Sequence, residues 1–261
     1  MGIQSIYKIL ADKFFDTRKH NDLKQFHATG DKSHLKNYYS SEKYAANYEK
    51  PKAAWINKFK MFISLMDLQP GQKVLDIGCT TKMLKPFIEA KGAKYYSFDI
   101  SSTFKPDFLG DVENMNEITD KQFDWVVAAD VIEHVPNPQN ALNEIHRISK
   151  RAVISVPNWY HFDCLGIFPA NPYDRHLTKQ FPYFWLKMIR KSGFKVHGVS
   201  GYKYTMEFPS YGSSFLKKVN GFFDNRLFSW ISKKLNKSVA GYWPMTRLGQ
   251  TFIVVVRSKK E

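Results

Sequence analysis

From Val74 onward the chain alternates short apolar runs with helical repeats, and this alternation restricts the fold more than any other feature. The runs Lys73–Ile77, Tyr95–Asp99, Phe108–Gly110, Trp125–Ala129, Ala152–Val156, Lys195–Val199 and Phe252–Arg257 have the length and composition of buried strands. Between them, Met83–Lys91, Pro138–Lys150 and Thr178–Ser192 carry apolar residues at helical spacing. Strands separated by helices pair in parallel, and a parallel sheet needs helices on both faces. The pattern predicts an α/β domain built on a mostly parallel seven-strand sheet.

In such a sheet, ligands bind beyond the carboxyl ends of the strands, near the point where strand order reverses. Asp76 and Gly78 close the first run, and a glycine there lets backbone approach a ligand with no Cβ in the way. Asp99 closes the second, where a carboxylate can accept hydrogen bonds from both hydroxyls of a ribose. Asp111, in GDVE, follows the third and is placed to accept from an adenine amino group; Ala129 and Asp130 end the fourth. One stretch departs from the pattern. In VLDIGCTTKML, Thr80 and Lys82 stand where nucleotide loops usually carry glycine. A dinucleotide site needs those glycines to bring backbone onto a pyrophosphate, so the loop counts against a nicotinamide dehydrogenase. A lysine opening the next helix also opposes the helix dipole, by a few tenths of a kcal/mol to ~1 kcal/mol.

Five motifs in order, VLDIGC, YYSFDIS, GDVEN, FDWVVAADVIEHVPNP and VISVPN, resemble the class I S-adenosylmethionine (SAM)-dependent methyltransferases over roughly Val74 to Phe194. The loop after the fourth strand, E-H-V-x-x-P, is similar to that of the ubiquinone-biosynthesis O-methyltransferase branch. The resemblance implies a Rossmann-like fold and SAM as cofactor. It also implies a cofactor-binding set of Asp76, Gly78, Cys79, Asp99, Ile100, Asp111, Val112 and Ala129. SAM has no phosphates, so it asks less of the glycine-poor loop.

Asp130, Glu133 and His134 fall at i, i+3 and i+4, which in a helical turn is one face. Two carboxylates and an imidazole suit a divalent metal, Mg²⁺, Mn²⁺ or Zn²⁺. The trio is similar to the Glu-x-x-Glu-His motif of ubiquinone O-methyltransferases and small-RNA 2′-O-methyltransferases, with Asp130 in place of the first Glu. His176, in YDRHLT, can complete the set from a later loop. A metal there would polarise an acceptor hydroxyl. Without one, His134 or His176 is the candidate general base, because histidine titrates near neutral pH. The plainer reading is a turn motif in which Glu133 caps backbone, His134 packs locally and His176 shapes the pocket.

Two segments lie outside the alternating region. Residues 1–69 read as an N-terminal helical cap: Ile3, Ile6, Leu10 and Phe14 at helical spacing, an irregular polar stretch over 17–41, then a helix over 41–66. Tyr44 and Tyr48 of that cap are candidates to close over the cofactor. Residues 70–201 form the SAM-binding core, 202–248 a basic aromatic insertion, and 249–261 the last strand. The insertion carries a stripe of Phe215, Val219, Phe223, Leu227, Trp230 and Ile231 flanked by lysines. It reads either as a substrate cover packed on the sheet or, through 213–236, as a peripheral helix on anionic membrane reaching a lipid-linked acceptor. The net charge of +15 favours anionic partners, nucleic acid among them, although no separate RNA-binding module is visible. Two cysteines without a C-x-x-C pair fit a reducing, cytoplasmic setting. The expected activity is SAM-dependent O-methylation of a small or lipid-linked metabolite. RNA methylation and a non-catalytic scaffold on the same fold are the alternatives.

Overall fold

The structure is a computed structural model and describes residues 21–49, 53–158, 176–202 and 251–258. Seven strands form one sheet: β1 Lys73–Ile77, β2 Lys94–Asp99, β3 Phe108–Leu109, β4 Phe123–Ala129, β5 Ser149–Pro157, β6 Phe194–Tyr202 and β7 Thr251–Ser258. Their order is β3-β2-β1-β4-β5-β7-β6, and β7 alone runs antiparallel to its neighbours. The expected mostly parallel, Rossmann-like seven-strand sheet is therefore present, and its order reverses between β1 and β4.

Alternate residues of the central strands go to opposite faces, as the two-residue strand period requires. Leu75, Ile77, Phe98, Val126, Ala128, Ile154 and Val254 face one buried cluster, closed by α6 (Pro138–Ile148) and α7 (Pro182–Lys191). Val74, Trp125, Val127, Val153, Ile253 and Val255 face the other, closed by α4 (Ala53–Met66) and α5 (Lys85–Glu89). Phe62 and Met66 of α4 are fully buried there. Helix α4, which the sequence places in the cap, is thus also a packed layer of the core.

The polar stretch expected to be irregular is helical. Helix α1 spans Asn21–Thr29 and α2 spans Lys32–Ser40. The Asp31 side chain caps α2 by accepting from Ser33 N at 2.9 Å. Only Leu23, Phe26 and Leu35 are buried, in a small cluster with Tyr38, Tyr39 and Leu177. Leu23 and Phe26, then Leu35, Tyr38 and Tyr39, do stand at helical spacing, but in two runs too short to stand out among polar residues, so local capping and contact with the distant Leu177 support the structure. The helix expected over 41–66 is divided into α3 (Glu42–Ala46), capped by Ser41, and α4. Pro51 lies between them in the sequence, where a proline ends a helix.

The helix expected around Ile3 to Phe14, the basic insertion 202–248 beyond Tyr202, and Cys164 lie outside the described residues. Among those described, no helix is long and apolar enough to cross a membrane. If α4 is part of the core, Phe62→Ala removes a fully enclosed ring and lowers stability by about 3–5 kcal/mol in chemical denaturation. A loss near zero would show that α4 packs elsewhere.

Candidate active site

The loop after β1 is shaped by two neighbours. Gly78 adopts φ +71°, and a Cβ built on it would come within 2.5 Å of Val131 Cγ2. Glycine is needed there so that the β1 and β4 loops can touch, as well as for any approach to a ligand. Asp76 is buried, and Tyr95 OH donates to its Oδ2 at 2.9 Å. Burial raises its pKa to about 7; Tyr95 works against that rise and the nearby Asp99 charge adds to it. Burial likewise pushes the Cys79 thiol above its ordinary range.

Thr80 and Lys82 both take left-handed backbone, at φ +42° and +56°. They occupy conformations that glycine adopts without strain. Helix α5 starts only at Lys85, so Lys82 does not open it, contrary to expectation. Its ammonium donates instead to Lys105 O at 2.7 Å, across the cleft rim.

Asp99 closes β2 with Oδ1 accepting from Ser101 N at 2.9 Å and Oδ2 accepting from Thr80 N at 3.2 Å. Burial raises its pKa even against these donors. Ile100, Asp111 and Val112 follow along the same wall of the cleft. Asp111 accepts from Glu113 N on Oδ1 at 2.9 Å and from Lys32 Nζ on Oδ2 at 2.8 Å. Lys32, from α2, also reaches Glu113 at 2.6 Å. Burial disfavours the Lys32 charge, but the two carboxylates outweigh it and hold its pKa above the usual lysine value.

At the end of β4, Ala129 and Asp130 line the cleft. Asp130 has φ +55°, so it does not share a helical turn with Glu133 and His134 as expected; the turn that holds those two is a short 3-10 segment, Ile132–His134. Its carboxylate is taken by Lys58 of α4 and by Ser155 Oγ at 2.7 Å. Burial opposes the Asp130 charge, yet Lys58 and these hydrogen bonds hold its pKa below the usual carboxylate range.

The structure groups Glu133, His134 and His176, with one donor atom from each within 4.8 Å of the others. The two imidazoles stack at 4.7 Å between centroids, and His134 Nε2 lies 3.6 Å from Glu133 Oε1. Leu177 N and Thr178 N both donate to Glu133 O, at 2.8 and 3.0 Å, which holds the His176 loop against the β4 turn.

All these walls enclose one cleft with about 1360 Å³ of space between atoms, including its open mouth. Tyr39, Tyr44, Tyr48, Trp55 and Phe59 form its aromatic side, and the Tyr44 and Tyr48 hydroxyls lie 3.0 Å apart. His134 lines the cleft, and His176 stands behind it. Sequence reasoning missed two cations in this cleft, Lys32 and Lys58. The second had a readable signal: Lys58 falls on the Trp55–Phe59–Phe62 stripe of α4, a lysine where the helical period calls for an apolar residue.

The family model for a methyltransferase domain matches residues 44–197, more than half of the chain. The chain belongs to the SAM-dependent methyltransferases. It is 26% identical to a ubiquinone biosynthesis O-methyltransferase of Pseudomonas aeruginosa over 198 residues, covering 61% of this chain and 85% of that one. Its fold is similar to that of a Haloferax volcanii methyltransferase solved with its Trm112 activator (TM-score 0.59, 15% identity, 85% of this chain and 97% of that one). It is also similar to a SAM-dependent methyltransferase of Thermotoga maritima (TM-score 0.55, 16% identity, 84% and 97% covered). At such identities the likeness is one of fold.

The cleft suits the cofactor of this methyltransferase family. Four carboxylates, Asp76, Asp99, Asp111 and Asp130, line it against two ammonium groups, Lys32 and Lys58. SAM carries a sulfonium, an ammonium and a carboxylate, and its net positive charge is complementary to that lining.

The Asp76 pKa makes a testable statement about stability. Its folded value of about 7 lies above the ordinary 3.8, so the folded state binds the extra proton between those values. Stability from this group is full below pH 4 and is lost as pH rises through 7. Asp76→Asn removes the loss. The variant is expected to match the wild type near pH 4 and exceed it at pH 8, by at most about 4 kcal/mol, in urea titrations at both pH values. Parallel pH dependence of the two proteins would show that Asp76 is not the titrating group.

Proposed function

We propose that this methyltransferase transfers the SAM methyl group to a hydroxyl oxygen of a small or lipid-linked acceptor, with His134 as the general base. The observation that carries the reading is the placement of His134. It lines the cofactor cleft, with the buried Glu133 carboxylate 3.6 Å from Nε2 and His176 stacked on its ring. A carboxylate beside the imidazole favours the protonated form that results when His134 takes the acceptor proton. The relatives named as ubiquinone biosynthesis O-methyltransferases support an oxygen acceptor.

In this reading SAM supplies an electrophilic methyl group, and the chain's residues bind and orient it. Asp99 accepts from the ribose hydroxyls. Asp111 has about four acceptor sites, two of them in use, and so has room for the adenine amino group beside Lys32. Ile100 and Val112 flank the adenosine, while Gly78, Cys79 and Ala129 form the floor. Asp76 faces the ammonium of the amino acid tail, and Lys58 its carboxylate. Tyr39, Tyr44 and Tyr48 exclude water from the transfer, where alignment of donor and acceptor supplies much of the rate.

The Glu133, His134 and His176 grouping favours a second reading, in which a divalent metal assists. The donors fit Zn²⁺ or Mn²⁺ in type. The two imidazoles stack rather than converge, so one ring must turn for both to bind one ion. Asp130, committed to Lys58, is not a ligand in this reading. A metal held by the three would polarise the acceptor hydroxyl.

A calorimetric titration with SAM and S-adenosylhomocysteine tests the site first. Micromolar binding that Asp99→Ala weakens by at least about tenfold is the expected result, the size of one charged hydrogen-bonding group. Transfer of radiolabelled methyl to a panel of phenolic and lipid-linked alcohols then tests the chemistry. His134→Ala is expected to lower kcat by about 10²–10⁴ with cofactor affinity retained. Unchanged kcat would remove His134 as the base. Wild-type activity that survives chelation excludes the metal reading; loss restored by Zn²⁺ or Mn²⁺ establishes it.

A further inference from the structure

We infer that Lys32 is a positioning residue that latches helices α1 and α2 over the adenine end of the cofactor site, so that cofactor capture and assembly of the acceptor side are one event. The inference rests on the SAM-binding reading of Asp111. Three independent contacts carry it.

The first is at the cofactor end. Lys32 Nζ lies 2.8 Å from Asp111 Oδ2 and 2.6 Å from Glu113 Oε2, so one cation from α2 bridges two carboxylates of the core. Glu113 is nearly enclosed, and its other oxygen accepts from Asn137 N at 2.9 Å. The core side of the latch is therefore held at the cap of α6, while Asp111 stands in the cleft wall. Removing the ammonium breaks the tie between α2 and the core and leaves the two core carboxylates, Asp111 and Glu113, without their shared cation.

The second is at the acceptor end. The apolar cluster of α1 and α2, formed by Leu23, Phe26 and Leu35, is completed by Leu177. The Leu177 and Thr178 amides bond to Glu133 O, and the preceding residue, His176, stacks on His134. Tyr39 of α2 also meets the His134 ring edge-on at 6.1 Å. Lifting α1 and α2 off the adenine end thus withdraws packing from the loop that presents His176.

The third lies between the two ends. Thr103 Oγ1 donates to Ser40 O at 3.1 Å, and Thr81 Oγ1 donates to Tyr48 O at 3.3 Å. Ser40 ends α2 and Tyr48 lies in the turn after α3, so the first bond holds α2 and the second the chain that follows it, and both are exposed. Individually such bonds contribute little. The bridging Lys32 is the charged contact of the set at this end, and it decides whether the segment stays down.

The consequence is an order of events: cofactor enters while the latch is open, and closure traps it and completes the histidine pair. The test uses full-length protein with Lys32→Met and Lys32→Arg, each checked for native circular dichroism. S-adenosylhomocysteine release is followed by stopped-flow tryptophan fluorescence, Trp55 being in the cleft wall. Release from Lys32→Met is expected to be about tenfold faster or more, as for loss of one charge-assisted contact, with Lys32→Arg close to wild type. Hydrogen exchange supplies the readout that a local effect on Asp111 would not move. Saturating S-adenosylhomocysteine is expected to slow exchange at Leu177 and Thr178 in the wild type and to leave it fast in Lys32→Met. Equal release rates, or equal protection of 177–178 in the variant, overturn the latch while leaving the cofactor site in place. Failure of the wild type to bind S-adenosylhomocysteine at all overturns both readings.

Discussion

Strand β1 has β2 on one side and β4 on the other, so the chain crosses over the sheet in opposite directions on leaving and returning to it. No single connection can then cover the carboxyl end of β1, and a crevice opens between the loops after β1 and β4. The polar groups of the site stand around that crevice. How closely its two sides approach is fixed by Gly78, which leaves just enough room for Val131. That contact sets the β1 loop against the β4 loop, and with it Asp76 and Asp99 against Asp130. Burying several carboxylates together is costly unless each is hydrogen-bonded or paired. Here each has a dedicated partner: Tyr95 for Asp76, the Thr80 and Ser101 amides for Asp99, Lys58 and Ser155 for Asp130.

The Lys58–Asp130 pair ties the helical layer to the chemistry. Phe62 and Met66 anchor α4 in the core, and the ammonium one turn before Phe62 reaches the end of β4. A buried charge left without its partner is strongly destabilising, whereas the intact pair contributes little net stability. Its value is therefore positional: it holds a cation in the cleft wall and occupies the Asp130 carboxylate. Of the four groups the sequence offered, Asp130, Glu133, His134 and His176, the last three lie together.

The strands and their order of use were legible because buried parallel strands are nearly continuous apolar runs, and the limits read for β1 agree with the structure. The carboxylates at the strand ends were legible for a related reason: topology alone places such residues at a crevice. What escaped was set by contacts between distant segments. Helices α1 and α2 have three buried apolar residues between them and become stable through Leu177, far along the chain. Lys32 is a cation at a helix start whose inward turn only the folded chain shows, whereas Lys58 stood on the apolar stripe of α4 and could have been read. The Asp130 backbone was misjudged because spacing at i, i+3 and i+4 describes a helix, and a single left-handed residue cancels it.

The glycine-poor loop shows how tertiary bonds can take over a role that composition usually fills. Thr80, Lys82, Lys105 and Asp130 all hold left-handed backbone around this cleft, at about 1 kcal/mol or more of strain each. A β-branched residue such as Thr80 is the least suited to it. Three of the four are held from outside their own turn: Thr80 N by Asp99, Lys82 Nζ by Lys105 O, and Asp130 N by Ser155. The loop conformation is therefore not a local property of VLDIGCTTKML. It depends on the charge of Asp99, because a protonated Asp99 is a poorer acceptor for the amide that keeps Thr80 in place. A glycine-rich loop would keep its shape whatever happened at Asp99. This one couples its shape to a carboxylate of the cleft wall, so the strained loop and that wall form or loosen together.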